Sequence, residues 1–336
     1  MTLRARPPRA WVRTQRGKMN LRARKPDWLR VRLPAGPEHE EFQSLKAKFR
    51  ARGLHTVCEE ARCPNIFECW GKGTATIMIL GETCTRGCRF CSVNTGKPGG
   101  VVDPQEPENT ALSLAEMGLA YVVLTMVDRD DLSDGGAAHV AQTVRRIQHH
   151  SPDLRVETLV GDFLGRHDDV RTVVQEGKPD VFAHNVEVVP RLQRTIRDAR
   201  CSWDRSIDVL RAAKKMGSAI TKSSLMVGLG ETHDEMLEAM QLLRDADVDV
   251  LTVGQYLRPT QKHADVERYV EPEEFSEYEA AGLEMGFRFV ASGPLVRSSY
   301  RAAEAFLQEA LVREDRSNRP PMMDRYGKRK RLSVVT

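Results

Sequence analysis

The chain of 336 residues has no run of about 18 apolar residues, so no membrane-spanning helix is expected. It has no apolar stretch near its N-terminus of the kind a secretory signal needs. It has no acidic residue among residues 1–26, which hold nine Lys/Arg, and only Asp324 among residues 316–336, which hold seven. Without these ends the chain carries 35 Lys/Arg against 46 Asp/Glu, although its net charge is +4. The basic character therefore lives in the tails. A nucleic-acid-binding face needs a basic folded surface, and the acidic middle argues against one; neither nucleic acid nor membrane is expected as a partner. Both tails read as solvated, disordered ends, with steering toward an acidic partner as the alternative. The N-terminal tail has no Ser before Ser44, which counts against an organelle transit peptide. Met19 offers a second start. A cytoplasmic protein is expected.

The other absence is a fourth cysteine. Six of the seven cysteines fall within 34 residues, as two triplets. With no sign of secretion, clustered thiols point to metal rather than disulfides. In "GETCTRGCRFCSV", Cys84, Cys88 and Cys91 are separated by three and then two residues. A structural metal site closes with four ligands, whereas a catalytic one keeps a position open. On a cubane iron–sulfur cluster, three thiolates leave one iron free. That iron can chelate the amino and carboxylate groups of S-adenosylmethionine, whose reductive cleavage gives a deoxyadenosyl radical. Arg86, Gly87 and Phe90 fill the turn, and Gly87 permits close backbone approach. The competing readings are a zinc loop completed by a distant ligand and scattered buried thiols. The second triplet is Cys58, Cys63 and Cys69, with gaps of four and five. Zinc with His55 or Glu68 as fourth ligand competes there, and a second cluster is preferred beside the first triplet.

From residue 75 onward, short β-rich runs alternate with helical ones. The strand candidates span 75–81, 121–127, 155–162, 181–187, 219–228 and 248–257. Between them lie helical patterns such as "PENTALSLAEMG", stopped by Gly118, and "ETHDEMLEAMQLLRDAD", acidic at its start. The alternation predicts βαβ units and a parallel sheet, in either an open doubly wound sheet or a partial barrel. No tight repeat is present. In such folds chemistry gathers at the C-terminal ends of strands. The unusual polar stretches all stand there: the cysteine loop, "DRDDLSDGG", "HNVE", "GLGE" and "GQYLRPTQKH". Segments 55–73 and 287–306 read as additions covering the barrel ends, and 302–314 as an amphipathic helix.

"CEEARCPNIFECW", "CTRGCRFCSV", "VDRDDLSDGG", "GQYLRPTQKH" and "SGPLVRSSY" together resemble the lipoyl synthase family of radical S-adenosylmethionine enzymes, from about Lys25 to Phe306. The resemblance implies an α/β fold: a partial (β/α)6 barrel over 75–290, with extensions at both ends. Residues 1–26 and 315–336 would be tails, 27–74 an N-terminal extension with the auxiliary cysteines, and 291–314 a C-terminal segment with the "RSSY" motif. It implies two [4Fe–4S] clusters. One is held by Cys84, Cys88 and Cys91 and cleaves S-adenosylmethionine. The auxiliary one is held by Cys58, Cys63, Cys69 and Ser299. The implied substrate is an octanoyl chain on a lysine of a carrier, either a lipoyl domain of a 2-oxoacid dehydrogenase or the glycine cleavage H protein. Sulfur enters at carbons six and eight, and the auxiliary cluster is consumed as the source. An electron donor such as flavodoxin or ferredoxin and an iron–sulfur carrier protein are the other implied partners.

An alkyl carbon offers no leaving group and no usefully acidic hydrogen, so radical chemistry is what the substrate demands. A serine alkoxide is a harder ligand than thiolate and suits iron–sulfur less well, so a fourth ligand of this kind can detach. Arg297 stands ready to stabilise the cluster's charge or the released hydroxyl. Asn185 and Glu187 share one face of a strand end, where they can hold a ribose or simply end the strand. Asp128, Arg129 and Asp131 can bind the amino-acid part of S-adenosylmethionine or pair with one another. Lys222 can reach a carboxylate, or the substrate, and counts among the cofactor-binding candidates. "MVGLGE" is similar to a strand that supports adenine in the superfamily, and Cys201 reads as a spectator. Met126 and Ser224 depart from the family pattern, where smaller residues are usual, and Arg301 stands where His is common. Two rival readings stay open: a radical enzyme whose auxiliary cluster only transfers electrons, and a zinc-stabilised binding module with basic tails.

Overall fold

The computed structural model describes residues 25–30, 43, 46–47, 56, 63, 65–71 and 74–299. Cys58, His55, the 302–314 helix and both tails lie outside the described residues. Seven parallel strands form one sheet: β1 (Thr74–Ile79), β2 (Tyr121–Met126), β3 (Arg155–Leu159), β4 (Val181–Ala183), β5 (Thr221–Val227), β6 (Val250–Gln255) and β7 (Phe289–Gly293). Helices α1 (Ile66–Gly71), α2 (Glu106–Met117), α3 (Ala137–His150), α4 (His167–Arg171), α5 (Gln193–Ile196), α6 (Trp203–Lys215), α7 (His233–Asp245) and α8 (Pro272–Glu284) complete the layers.

Each strand pairs with its sequence neighbours, in the order β1 to β7. A doubly wound sheet would reverse its order at a switch point. Here it never reverses, which is the winding of an open barrel. The sheet has one strand more than the sequence suggests. Residues 287–306 read as a cap, yet Phe289–Gly293 pairs in register with β6, Val250 opposite Phe289 and Gly254 opposite Gly293. A boundary at 290 therefore cuts through β7. The short run "FVA" is buried although β7 is an edge strand, paired only with β6.

Side-chain alternation sorts the two faces of the strands. On β2 and β3, Val122, Leu124 and Val156 pack outward with Leu114 of α2 and with Val140, Val144 and Ile147 of α3. Tyr121, Val123 and Leu159 form a separate cluster, and Glu157 hydrogen-bonds Tyr121 from the same side. A second core joins Leu225 and Val227 of β5 and Leu251 and Val253 of β6 to α6, α7 and α8. The helix ends follow local chemistry. Gly118 takes the left-handed conformation that stops α2, and Thr232 with Glu235 forms a capping box on α7.

The end of β4 is pinned by His184. Its Nδ1 lies 2.8 Å from the Val160 carbonyl and its Nε2 2.9 Å from Ser206 Oγ. Burial, and then the nearby Arg197 charge, push the imidazole down to about 4. The unfolded chain takes this proton near pH 6.5 and the native chain does not until about pH 4, so stability falls as pH falls through that window. At about 1.4 kcal/mol per unit the loss reaches roughly 3 kcal/mol. His184→Gln is expected to flatten the pH dependence of thermal unfolding between those limits; identical slopes for both proteins would refute the assignment.

Candidate functional site

The cysteine loop leaves β1 through Leu80 and Gly81, both with positive φ (68° and 85°). Thr83–Cys84 then pairs with Asn94–Thr95, so the loop closes on itself. The loops after β2, β4 and β6 hold it directly. Thr85 N–H donates to the Asp128 carbonyl after β2 (2.9 Å). Arg89 N–H donates to the Ile196 carbonyl (2.8 Å), and Gly87 N–H to Asp198 Oδ2 (2.8 Å), both beyond β4. His263, after β6, places Nε2 2.9 Å from the Cys91 carbonyl, and Ala264 N–H donates to the Arg89 carbonyl.

The centre of this bracing is Arg86, only 3% exposed. Its guanidinium bonds Asp130 through both oxygens (2.9 and 2.7 Å) and Asp162 Oδ1 (2.7 Å), and lies 3.5 Å from Asp128 Oδ1. A planar fork suits such a cage; an ammonium does not. Arg200 and Arg205 add charge at Asp130 and Asp162. Burial raises the Asp128 carboxyl to about 6 despite Arg86, while the Arg86 bond holds Asp162 below the usual carboxylate range against burial. Arg86 filled a turn in the sequence reading. Its position between two cysteines, with "DRDD" elsewhere in the chain, was the available signal. Asp162 and Asp198 gave none, whereas His263 closes the "GQYLRPTQKH" stretch.

The thiols sit half-buried and none of the described cysteines is in a disulfide. Burial, and then the Asp128 charge, push Cys84 up to about 11, and burial also raises Cys91. Metal ligation must therefore displace protons that the loop holds firmly. Arg86 N–H points at Cys84 Sγ (3.4 Å) and Asp198 N–H at Cys88 Sγ (3.3 Å). Such donors stabilise ligated thiolate, and this triplet fits an iron–sulfur cluster held by three ligands.

The remaining candidates separate. Asn185 Nδ2 donates to Glu187 Oε1 (3.1 Å); both are half-buried on one side of the chain, and the Glu187 charge reaches Cys91. Asp128 reaches Cys84 and Cys91 in the same way. Arg129 bonds both oxygens of Asp131 (2.8 and 2.9 Å) and the carbonyls of Leu80 and Val101, so these two pair with one another. Lys222 requires a correction. It lies at the N-terminal end of β5, clamped to both oxygens of buried Glu157 at 2.9 Å, with Tyr121 on the same carboxylate. That is the floor of the open barrel, at the other end of the strands from the cysteine loop. Met126 packs against the β1–β3 core, and Ser224 is buried in β5.

The second triplet meets the C-terminal segment. Thr56 bridges to Ile77 at the free edge of β1, and Asn65 Nδ2 donates to the Leu295 carbonyl (2.6 Å) just beyond β7. Cys63 and Cys69 pack on the first core beside buried Trp70. Val296 and Arg297 lie on β6 where Gly254 has no side chain: a Cβ there would stand 2.1 Å from the Val296 carbonyl oxygen. Arg297 is half-buried, donates to the carbonyls of Gln255 and Val296, and feels the charge of Cys63. Ser299 is half-buried in the turn two residues on.

A model described as the radical SAM superfamily matches residues 78–243, and one described as the N-terminal domain of lipoyl synthase matches residues 8–63. A lipoyl synthase of Sorangium cellulosum is 57% identical over 304 residues, covering 86% of this chain and 81% of the relative. One from Thermus thermophilus is 56% identical over 285 residues, covering 84% and 87%. A mitochondrial lipoyl synthase of Neurospora crassa is 54% identical over 303 residues, covering 88% and 70%. Among solved structures, Streptococcus suis SuiB bound to S-adenosylmethionine shares the fold at a TM-score of 0.50 and 10% identity, covering 76% of this chain and 60% of that one.

Removing the Arg86 charge strands three carboxylates, and breaking a buried pair of this kind costs about 3–5 kcal/mol. Arg86→Gln is expected to lose that amount in urea unfolding of the metal-free chain above neutral pH. The deficit should shrink as pH falls, beginning above pH 6, because Asp128 loses the Arg86 charge that holds it down to about 6 in the parent and takes up its proton earlier in the variant. A deficit independent of pH would show that the cage is not electrostatic.

Proposed function

The chain belongs to the lipoyl synthase family, and on that premise we propose how its residues divide the work. The activity is that of a radical S-adenosylmethionine sulfurtransferase. It inserts sulfur at carbons six and eight of a protein-bound octanoyl-lysine, completing the lipoyl cofactor, and it uses a [4Fe–4S] cluster with S-adenosylmethionine. In our reading Cys84, Cys88 and Cys91 hold that cluster. The convergence of four strand-end loops on this one triplet is the observation that carries the assignment. Bound there with one iron open, the cluster supplies the electron that cleaves the sulfonium.

The chain's own residues then bind and orient. Asn185 and Glu187 hold the ribose from the end of β4. Asp128, beside Cys84 and Cys91, faces the amino group of the cofactor, where an ionised carboxylate accepts its protons. Arg129 and Asp131 act through position: their pairing ties the loop after β2 to Leu80, at the root of the cysteine loop. Lys222 is left out, since its charge is neutralised at the barrel floor.

Cys58, Cys63 and Cys69, with Ser299 as fourth ligand, hold an auxiliary [4Fe–4S] cluster that furnishes the sulfur. The Asn65–Leu295 bond and the approach of Arg297 to Cys63 support this reading, because they bring the two distant ligand segments together. Arg297 neutralises part of the cluster's charge. Asn65 and the segment just beyond β7 thus meet at one side of the sheet. The octanoylated carriers are lipoyl domains of 2-oxoacid dehydrogenases or the glycine cleavage H protein. A flavodoxin or ferredoxin delivers electrons, and an iron–sulfur carrier protein rebuilds the auxiliary cluster. The basic tails aid encounter with an acidic carrier. Among the described residues no helix is long and apolar enough to cross a membrane, and we place the protein in the cytoplasm.

Protein reconstituted without oxygen is expected to hold about eight irons, as two cubanes require. When its sulfide is isotopically labelled, it should pass the label into an octanoylated peptide; unlabelled lipoyl product would defeat the donor role. Ser299→Cys is expected to retain iron more firmly than the parent and to lose sulfur insertion. Full turnover in that variant would defeat the idea that ligand detachment is needed.

A further inference from the structure

Leu80 joins β1 to the cysteine loop and is held in an uncommon state. It is 3% exposed with φ 68°, a conformation that residues other than glycine keep only where their surroundings over-determine it. Three parts of this one residue are gripped. Its N–H donates to Glu106 Oε2 (2.8 Å), at the first residue of α2. Its carbonyl accepts from Arg129 Nη1 (3.1 Å). Its side chain fills the space where Gly136, just before α3, has none: a Cβ there would stand 2.5 Å from Leu80 Cδ1. The grip on the N–H is itself braced. His139 Nε2 lies 2.6 Å from the same Glu106 oxygen, and since a carboxylate only accepts, that nitrogen carries the hydrogen. The stretch "DRDDLSDGGAAH" therefore supplies three of the four residues that form the grip, Arg129, Gly136 and His139. Glu106 is the fourth.

We propose that Glu106 is a positioning residue for the radical cluster: oriented by His139, its carboxylate keeps Leu80 left-handed and so fixes the turn from which Cys84 is presented. The inference rests on Cys84 as a cluster ligand; it stands four residues beyond Leu80. The turn uses two consecutive residues of positive φ, Leu80 and Gly81. Gly81 takes such a conformation at no steric cost, and no heavy atom lies within 4 Å of where its Cβ would be. It does not hold the turn. Leu80 is the opposite case. Without its bonds it would relax toward the ordinary regions of backbone space and carry Glu82, Thr83 and Cys84 with it. The Glu106 and Arg129 bonds lie on opposite sides of Leu80, so rotation about its φ or ψ breaks one or the other. A neutral amide at position 106 can take both hydrogen bonds on its oxygen. The acceptor is what matters, and its charge is not.

The first measurement uses the metal-free, full-length chain: amide hydrogen exchange, read by mass spectrometry on overlapping peptides around Leu80. Glu106→Ala should speed exchange of the Leu80 amide about tenfold or more, the effect of losing one bond to a charged acceptor, and leave the β2–β3 core unchanged. Glu106→Gln should exchange like the parent. The second measurement uses holoenzyme reconstituted without oxygen and follows the electron paramagnetic resonance signal that responds to S-adenosylmethionine. Glu106→Ala should lose most of that signal, and Glu106→Gln should keep it. Parent-like exchange in Glu106→Ala overturns the proposal, as does faster exchange with the full responsive signal. A Gln variant that matches the Ala variant in both measurements also overturns it, because the acceptor would not be what counts. If Glu106→Ala does not fold, His139→Ala takes its place. There the acceptor stays and its orientation is freed, so Leu80 should exchange several-fold faster; parent-like exchange overturns the proposal. A wrong ligand reading looks different: Cys84→Ala would keep the responsive signal while Glu106→Ala still loosened Leu80.

Discussion

The guanidinium of Arg86 is the interaction on which the candidate site depends. Four strand ends meet around the cysteine loop, and two of them contribute the three carboxylates that need a cation. Asp128 and Asp130 follow β2, and Asp162 follows β3; without Arg86 they would repel one another in a place with little water. The same residue is part of the loop that must be fixed. Its backbone N–H faces Cys84 and its side chain faces Cys201. One residue thus converts mutual repulsion between loops into the force that orders the ligand turn. Loops usually carry function at the cost of order. Here order is restored by burying the charge that links them.

The winding of the sheet explains why such a meeting point exists. All seven strands run parallel and in sequence order, so every connection crosses back over the outside and every C-terminal end faces the same way. Charged groups on these strands then differ in role by position alone. Lys222 and Glu157 lie near strand beginnings and neutralise each other; Asn185 and Glu187 lie past a strand end, where the Glu187 charge reaches Cys91. The open barrel leaves two edges. The segment bearing Cys63 and Cys69 covers one through Thr56 and reaches the other through Asn65. Covering the edges also brings the segment of Cys63 and Cys69 to the residues just beyond β7.

Much of this could be read from the residues alone. The cysteine gaps gave the ligand loop, and the alternation of β-rich and helical runs gave the parallel sheet. Six of seven strands were legible because their apolar runs are bounded by Gly, Asp or Pro. The seventh was hidden because "RFVASG" continues into a motif that invites a functional reading. Lys222 misled for a physical reason: the residue type says that a charge must be paired, and only the register of β3, β4 and β5 says with what. The Arg86 cage was illegible in the same way, since its partners are 44 and 76 residues away in the chain. Local spacing announces ligands. It does not announce the counter-charges that make a ligand loop rigid.

The two triplets differ in a manner that fits their proposed roles. The first lies within eight residues and is held by backbone bonds on both sides of Cys88, so its ligands cannot move independently. The second, with Ser299 as its proposed fourth ligand, draws on segments more than 200 residues apart. The Asn65–Leu295 bond joins those segments, and Arg297, half-buried and with its charge disfavoured by burial, lies beside them. A ligand set drawn from one tight loop suits a cluster that must survive every turnover. A set closed by a distant serine can open at that one residue while the thiolates stay in place. The difference in sequence separation between the ligand sets thus becomes a difference in how reversibly each cage can be taken apart.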